Sequence, residues 1–329
     1  GFGVLTAAEF QQMAGRAGRR GKDSVGICLI APGMYSDARV YHELTLRPPE
    51  PLRSAYFAAP STVLNLLKYR SSDELEFTVS KSLAAFLDRK QAKALKLEAA
   101  QEQERVTKDG SLSSEKKKKG DKRVRRMLRE AEFLEKRQLE QVQQSLHGLE
   151  LLGYVEKGIL TSKGLWAANL CTSLVLELAE AVESGLFDSV SVEELVGLIA
   201  SIAGDPHRAY FSLAQNPIKA DRFEAVKAIV LKVKNSFQNP QNTEIGVVPN
   251  AALTVLTWMT SEDWVGFSGL LRLNGVAEGD VARLITQTAD HLNQISRLND
   301  SHPELAALAE EGRRRILRPP LSEVFVAMV

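Results

Sequence analysis

The chain has 329 residues, 44% hydrophobic and 25% charged, with a net charge of +1, which suits two or three ordinary globular domains. A balance so near neutrality excludes whole-molecule attraction to nucleic acid, so any basic surface must be local. No apolar stretch approaches the length of a membrane span. Cys28 and Cys171 are far apart with no metal-ligand spacing, and the five histidines form no close pair. Buried, reduced thiols and no metal centre are therefore expected.

In chain order, Thr6 with Glu9 three residues on is a capping box that predicts a short helix. The helix runs into Gln11-Gln12-Met13-Ala14-Gly15-Arg16-Ala17-Gly18-Arg19-Arg20-Gly21, the most informative stretch of the sequence. Arg16 and Arg19 would project from a defined helix end in a glycine-rich turn. Arginine stays ionised, and its planar fork fits phosphate oxygens bidentately. Glycines allow close backbone approach and positive φ. Val25–Ala31 follows as a short apolar run and is predicted to be a buried parallel strand. An Arg/Gly segment that merely binds RNA nonspecifically is the alternative, but such tracts repeat and lack a capped helix before them.

Residues 12–21 resemble motif VI of superfamily 2 helicases in the form used by the Ski-like DExH-box group. The resemblance implies that Gln12, Arg16 and Arg19 reach the triphosphate from a second RecA-like domain, with Gly15 and Gly18 beside it. Arg20 belongs to the same pattern. No Gly-x-x-x-x-Gly-Lys-Ser/Thr loop and no Asp-Glu-x-His/Asp segment occur. ATP and Mg would thus be bound mainly by a preceding motor domain, the chain reads as the C-terminal portion of a longer helicase, and alone it should not hydrolyse ATP. Residues 1–50, part of a RecA-like sheet, would expose strand edges and an apolar face and be the least secure region.

Pro48-Pro49-Glu50-Pro51 marks a junction. A helix is predicted over Ser61–Tyr69. Ser71 with Glu74 opens another, with Leu75, Val79, Leu83, Phe86 and Leu87 on one face. From Asp88 to about Arg126 the composition turns to Lys, Glu and Gln, with Lys116–Lys119 a run of lysines. Leu139, Val142, Leu146 and Leu149 then recur at three- and four-residue spacing. Together these predict a helical hairpin, out along roughly 73–105, over a loose basic tip, and back along roughly 122–152. The segments Pro60–Leu67 and Ser82–Phe86 resemble the entry to the winged-helix domain of Ski-like helicases, in which an arm is inserted here, a candidate site for a protein partner. Lys117 and Lys118 at the tip either grip RNA phosphates or form a solvated loop without aromatics for stacking.

Gly153–Thr161 reads as a β-hairpin turning at Lys157-Gly158, with Thr161 capping the next helix. Downstream the pattern is helical: Ser191 with Glu194 caps Val192–Ala203, Phe223 to Val233 line another helix, Ala251–Met259 forms one more, and Glu278-Gly279 opens a long helix to about Arg297. Trp258 and Trp264 are expected as core anchors, and Arg313–Arg315 with Pro319-Pro320 as a surface tail. This order resembles the helical C-terminal domain of Ski-like helicases. There the helix after the Glu-Gly pair lies along the nucleic-acid channel. The resemblance implies contacts from Arg283 and Gln287, with Asp290 at the acidic position and Thr286-Gln287 replacing an arginine pair.

The expected fold is predominantly α: a partial RecA-like α/β segment (1–50), a winged-helix domain (51–165) with an inserted helical arm (about 88–148), and a C-terminal helical bundle (166–329). The resemblance implies a cytoplasmic ATP-dependent RNA helicase acting on single-stranded RNA. A DNA helicase of the related repair class, or a non-catalytic nucleic-acid or protein binding module, are the alternatives.

Overall fold

The computed structural model describes residues 5–18, 21–31, 37–49, 58–108, 114–211, 217–237 and 246–322. Arg19, Arg20 and the turn of the predicted arm lie outside the described residues. The chain divides into two compact units, 1–55 and 56–329. Among the described residues there are fourteen helices and one two-stranded sheet, so the fold is predominantly α as expected.

In the first unit, α1 (Ala7–Ala14) starts at the Thr6–Glu9 capping box, and α2 (Ala38–Leu46) is capped by Asp37. Phe10 and Tyr41 pack with ring centroids 5.5 Å apart, and the Gln11 amide donates to the Arg47 carbonyl at 2.7 Å. The strand predicted over 25–31 is not formed: these residues carry no ladder, and Val25, Ile27 and Leu29 are exposed. A parallel strand is held by neighbours on its edges, and the described part of this unit offers no second strand. Cys28 is exposed with it, contrary to expectation, as is Cys171 in the second unit.

The second unit opens with α3 (Pro60–Leu67) and α4 (Ser72–Ser80), the latter on its predicted Ser71–Glu74 capping box. The expected stripe from Leu75 to Leu87 is broken. Helix α4 ends at Lys81, and α5 (Leu83–Lys108) restarts with the Ser82 hydroxyl accepting the Ala85 N–H. The restart turns Ala84, Ala85 and Asp88 inward and leaves Leu83 and Phe86 exposed.

Helix α5 and the 38-residue α6 (Ser114–Leu151) form the predicted antiparallel arm. Its seam follows a heptad: Ala85, Asp88, Ala92, Ala99 and Val106 face Gly120, Val124, Met127, Ala131, Leu134 and Gln138. Small residues let the helices approach closely; a Cβ on Gly120 would lie 2.4 Å from Val106 Cγ2. Asp88 is buried and takes the Arg137 guanidinium and the Gln138 amide. Two expectations change here. The lysines 116–119 stand in α6 rather than in a loose tip, since lysine is a good helix former. Gln138 replaces Leu139 in the seam, leaving Leu139 exposed while Val142 and Leu149 are fully buried.

The base of α6 enters the main core with Val63, Leu64 and Leu75. Next come β1 (Val155–Glu156) and β2 (Ile159–Leu160), antiparallel with Val155 opposite Leu160. Their turn places Lys157 at φ +50° and Gly158 at φ +77°, the paired positive φ of a type I′ hairpin. Thr161 caps α7 (Ser162–Ala167) by accepting the Gly164 N–H.

The remaining helices form a bundle: α8 (Val175–Glu183), α9 (Val192–Ala203), α10 (Ala220–Ser236), α11 (Pro249–Thr260), α12 (Trp264–Leu273), α13 (Glu278–Ile295) and α14 (Pro303–Ile316). Helix α9, buried along its length from Leu195 to Ile202, is packed by α11, α13 and α14. Trp258 is the predicted anchor: it is fully buried and donates to the Ile316 carbonyl at 2.7 Å. The rings of Trp264 and Phe267 surround it, and the Arg318 guanidinium lies 3.9 Å from its centroid. The expected surface tail is instead α14, whose Ala306, Ala309 and Ile316 are buried. Its arginines are paired at the surface, Arg313 with Glu310, Arg314 with Glu311 and Arg315 with Glu193.

Candidate nucleotide and nucleic-acid sites

The end of α1 presents the helicase-like motif. Gly15 closes the helix in αR geometry, and the chain turns through Arg16 N–H to Met13 O and Ala17 N–H to Ala14 O. Gly26 returns against this turn so closely that a Cβ there would lie 3.0 Å from the Ala17 carbonyl. Gln12, Gly15 and Arg16 are exposed and Gly18 is half-buried. The Arg16 guanidinium has no carboxylate partner among the described residues. The positive φ expected in the turn occurs at Gly21, at +77°, not at Gly15.

On α13 the buried face runs through Val281, Leu284, Ile285, Thr288, Leu292 and Ile295. The opposite face carries Arg283, Gln287 and Asp290, all exposed. Arg283 and Gln287, four residues apart, share one face as the sequence implied. Arg283 donates to Asp280 at 2.6 Å, and Asp280 also receives Arg208 at 3.3 Å. The Gln287 amide is uncommitted among the described residues, and Thr286 bonds back to the Arg283 carbonyl. Asp290, although it faces outward, is desolvated in part by its neighbours, which raises its carboxyl above its usual range.

Lys117 and Lys118 sit elsewhere, near the start of α6 on the arm. Only Lys118 is fully outward; Lys117 is half-buried.

Residues 157–323 match the DSHCT (NUC185) domain, from the turn of the β-hairpin through α14. The chain belongs to the DSHCT family. That domain occurs in Ski2-like DExH RNA helicases, and the chain is a C-terminal portion of this type. It is 42% identical over 74 residues to DExH-box ATP-dependent RNA helicase DExH10 of Arabidopsis thaliana, covering 22% of this chain and 7% of that protein. Superkiller complex protein 2 of Homo sapiens is 34% identical over 94 residues, 28% of this chain and 8% of its own length. Antiviral helicase SKI2 of Saccharomyces cerevisiae is 33% identical over 101 residues, 30% and 8% respectively. The matched segments thus span 8% or less of these relatives.

Around the buried Glu180 the structure brings together ionisable groups that no sequence pattern marked. Lys163 of α7 and Lys232 of α10 both bind Glu180 of α8, at 2.5 and 2.6 Å. The Lys163 ammonium also lies 4.4 Å from the Tyr154 ring centroid. Burial and the neighbouring Glu180 push the Tyr154 phenol up. One turn earlier, burial pushes the Glu177 carboxyl up to about 7. On α13, His291 is buried against the Thr172 hydroxyl at 2.6 Å, and burial takes it down to about 4. The Cys171 N–H donates to Gln294 beside it, fixing the end of α13 to the segment after α7.

Glu177 and His291 oppose one another in pH dependence. Glu177 is held protonated, so its contribution is intact below 4.5 and is lost as pH rises towards 7. His291 is held neutral, so its contribution is lost as pH falls from 6.5 towards 4. Each shift corresponds to about 3 kcal/mol, and the two slopes cancel over their common window. We expect Glu177→Gln to be more stable than the parent at pH 8 and to lose about 2–3 kcal/mol on acidification from 6.5 to 4.5. His291→Gln should slope the other way. Urea titrations across this range test both, and a Glu177→Gln profile parallel to the parent's would contradict the assignment.

Proposed function

We infer that this chain is the C-terminal part of an ATP-dependent RNA helicase, completing a nucleotide site with Arg16 and lining a single-strand path with α13. The observation that carries the reading is the exposed Arg16 guanidinium at a capped helix end, unpaired with any described carboxylate, in a chain of the DSHCT family. A fixed cation with no partner among the described residues can meet one from another lobe.

In this reading a preceding motor lobe holds ATP and Mg through the phosphate loop and acidic segment that this sequence does not contain. ATP supplies the phosphoryl group, and its hydrolysis supplies the driving energy. Arg16 and Arg19 would meet the γ-phosphate and stabilise charge developing on its equatorial oxygens, a contribution of several orders of magnitude in rate. Gln12 would donate to the same oxygens, and Gly15 and Gly18 leave room for the approach. The second RecA-like lobe would end in residues 1–50, and the winged helix, residues 51–165, would support the bundle from 166 onward. Arg283 and Gln287 would follow the strand, Arg283 through phosphate and Gln287 through a base edge. RNA is the partner favoured by the relatives' names, with DNA the alternative. Strand displacement on matched tailed RNA and DNA duplexes by the polypeptide carrying both lobes tests the substrate. Faster unwinding of RNA is expected; equal rates would remove the preference. The chain alone should bind single strands without hydrolysing ATP.

A further inference from the structure

Residues 116–129 contain nine lysines and arginines and a single carboxylate, Asp121. Because they are helical, α6 sorts these cations into two sets. Lys116, Lys119 and Arg123 turn towards α5 and line a groove with Glu102 and Arg105. There carboxylates are within reach: Arg105 hydrogen-bonds Glu102 at 2.8 Å, that bond, with Arg123 adding, holds the Glu102 carboxyl below its usual range, and Lys119 pairs with Glu115 at 3.3 Å. The second set is different. Lys118, Lys122, Arg125 and Arg129 are spaced four, three and four apart, the repeat of one helix face. Arg126 lies beside them, and all five are exposed. They stand opposite the buried seam of Gly120, Val124, Met127 and Ala131, and none forms an ion pair with a described residue.

Elsewhere on the arm several cations are paired. Lys96 binds Glu135, Lys136 binds Glu132, Lys119 binds Glu115 and Lys108 binds Glu104. On the outer face of α6, by contrast, Lys118/Lys122, Lys122/Arg126 and Arg125/Arg129 are like-charge pairs four residues apart, an arrangement that destabilises a helix. The uncompensated stripe runs for about 16 Å at 1.5 Å per residue. Between Lys118 and Arg129 it has no aromatic on which single-stranded bases could stack; the exposed Phe133 stands one turn beyond. It also lacks the buried apolar anchors that carry protein interfaces. What it complements is a regular line of phosphates.

We propose that the outer face of α6 from Lys118 to Arg129 is a track for the phosphate backbone of double-stranded nucleic acid. RNA and DNA duplexes share that chemistry. The proposal rests on the nucleic-acid reading above, but it concerns the arm, away from the Arg283–Gln287 face. It also moves the arm's contact from the tip lysines to a rigid helical surface that excludes Lys117.

The test is fluorescence anisotropy with the whole chain and three probes: a blunt RNA duplex of about 16 base pairs, its DNA counterpart and one RNA strand, across about 0.05–0.25 M salt. The variant Lys118→Gln/Lys122→Gln/Arg125→Gln/Arg129→Gln keeps good helix formers, and circular dichroism checks that the arm remains helical. Duplex affinity should fall about tenfold or more, and the salt slope by about 3–4, with single-strand binding unchanged. Arg283→Ala/Gln287→Ala should do the reverse, so failure of the arm and failure of the channel are separable. Comparing the two duplexes identifies the natural source. Unchanged duplex affinity and salt slope in the quadruple variant would overturn the proposal, as would tighter binding of polyglutamate than of either duplex, which would mark an acidic protein surface.

Discussion

Glu180→Leu is expected to lower the unfolding free energy by about 3–4 kcal/mol, although it replaces a charge with an apolar side chain inside a core. Glu180 is 2% exposed and holds two cations of different standing. Lys232 has 60% of its side chain in solvent and can return to water when its partner goes. Lys163 cannot: its side chain is 13% exposed. It would be left with the Leu152 carbonyl at 2.8 Å and the Tyr154 ring. Most of the cost is therefore a stranded ammonium. Lys232→Met should cost under about 1 kcal/mol, as surface-accessible pairs do. The double variant Glu180→Leu/Lys163→Met should recover most of the loss, because removing both charges ends the desolvation problem. Although burial works against ionisation, Lys163 and Lys232 hold the Glu180 carboxyl below its ordinary 4.5, so its contribution is present at neutral pH and fades as pH falls beneath that value. Urea denaturation of the parent, Glu180→Leu, Lys163→Met and their double variant closes the cycle, with Lys232→Met measured beside it. A double variant as unstable as Glu180→Leu alone would show that packing, not charge, governs the site.

Much of the architecture was legible where local chemistry decides it. The capping boxes at Thr6, Ser71 and Ser191 set helix starts without help from tertiary contacts, and Lys157-Gly158 set its turn by its positive φ angles. Trp258 could be placed in the core because so large an apolar ring is rarely left exposed. The misreadings arise where the outcome depends on a distant partner. Val25–Ala31 has the composition of a strand, but composition cannot provide a neighbouring strand. The arm seam was read through leucines, whereas close helix approach selects Ala92, Ala99, Gly120 and Ala131, which carry little signal of their own. Arg313–Arg315 looked like a charged end because their helix is packed through small residues, Ala306, Ala309 and Gly312. At the candidate sites, motif resemblance nominated Arg16, Arg283 and Gln287, and the structure leaves all three exposed. The buried set around Glu180 joins residues 69 positions apart from Lys163 to Lys232, and no linear spacing announces it. The stripe from Lys118 to Arg129 was visible as composition and became a surface only once α6 was known to be helical there.

If Arg16 acts as proposed, the second large effect is catalytic. A guanidinium that meets the γ-phosphate only as charge develops there contributes to the transition state more than to nucleotide binding. Lysine keeps the charge but loses the planar fork, so Arg16→Lys should be impaired almost as severely as Arg16→Ala. The α1 cap, the Gln11–Arg47 bond and the Phe10–Tyr41 contact do not involve this side chain, which makes a folding explanation for lost activity easy to exclude. The decisive measurement is RNA-stimulated ATP hydrolysis by the polypeptide carrying the phosphate-loop lobe with this chain. Arg16→Ala should reduce kcat about 10³-fold while changing nucleotide affinity little. Turnover at the parent's rate in Arg16→Ala would contradict the account.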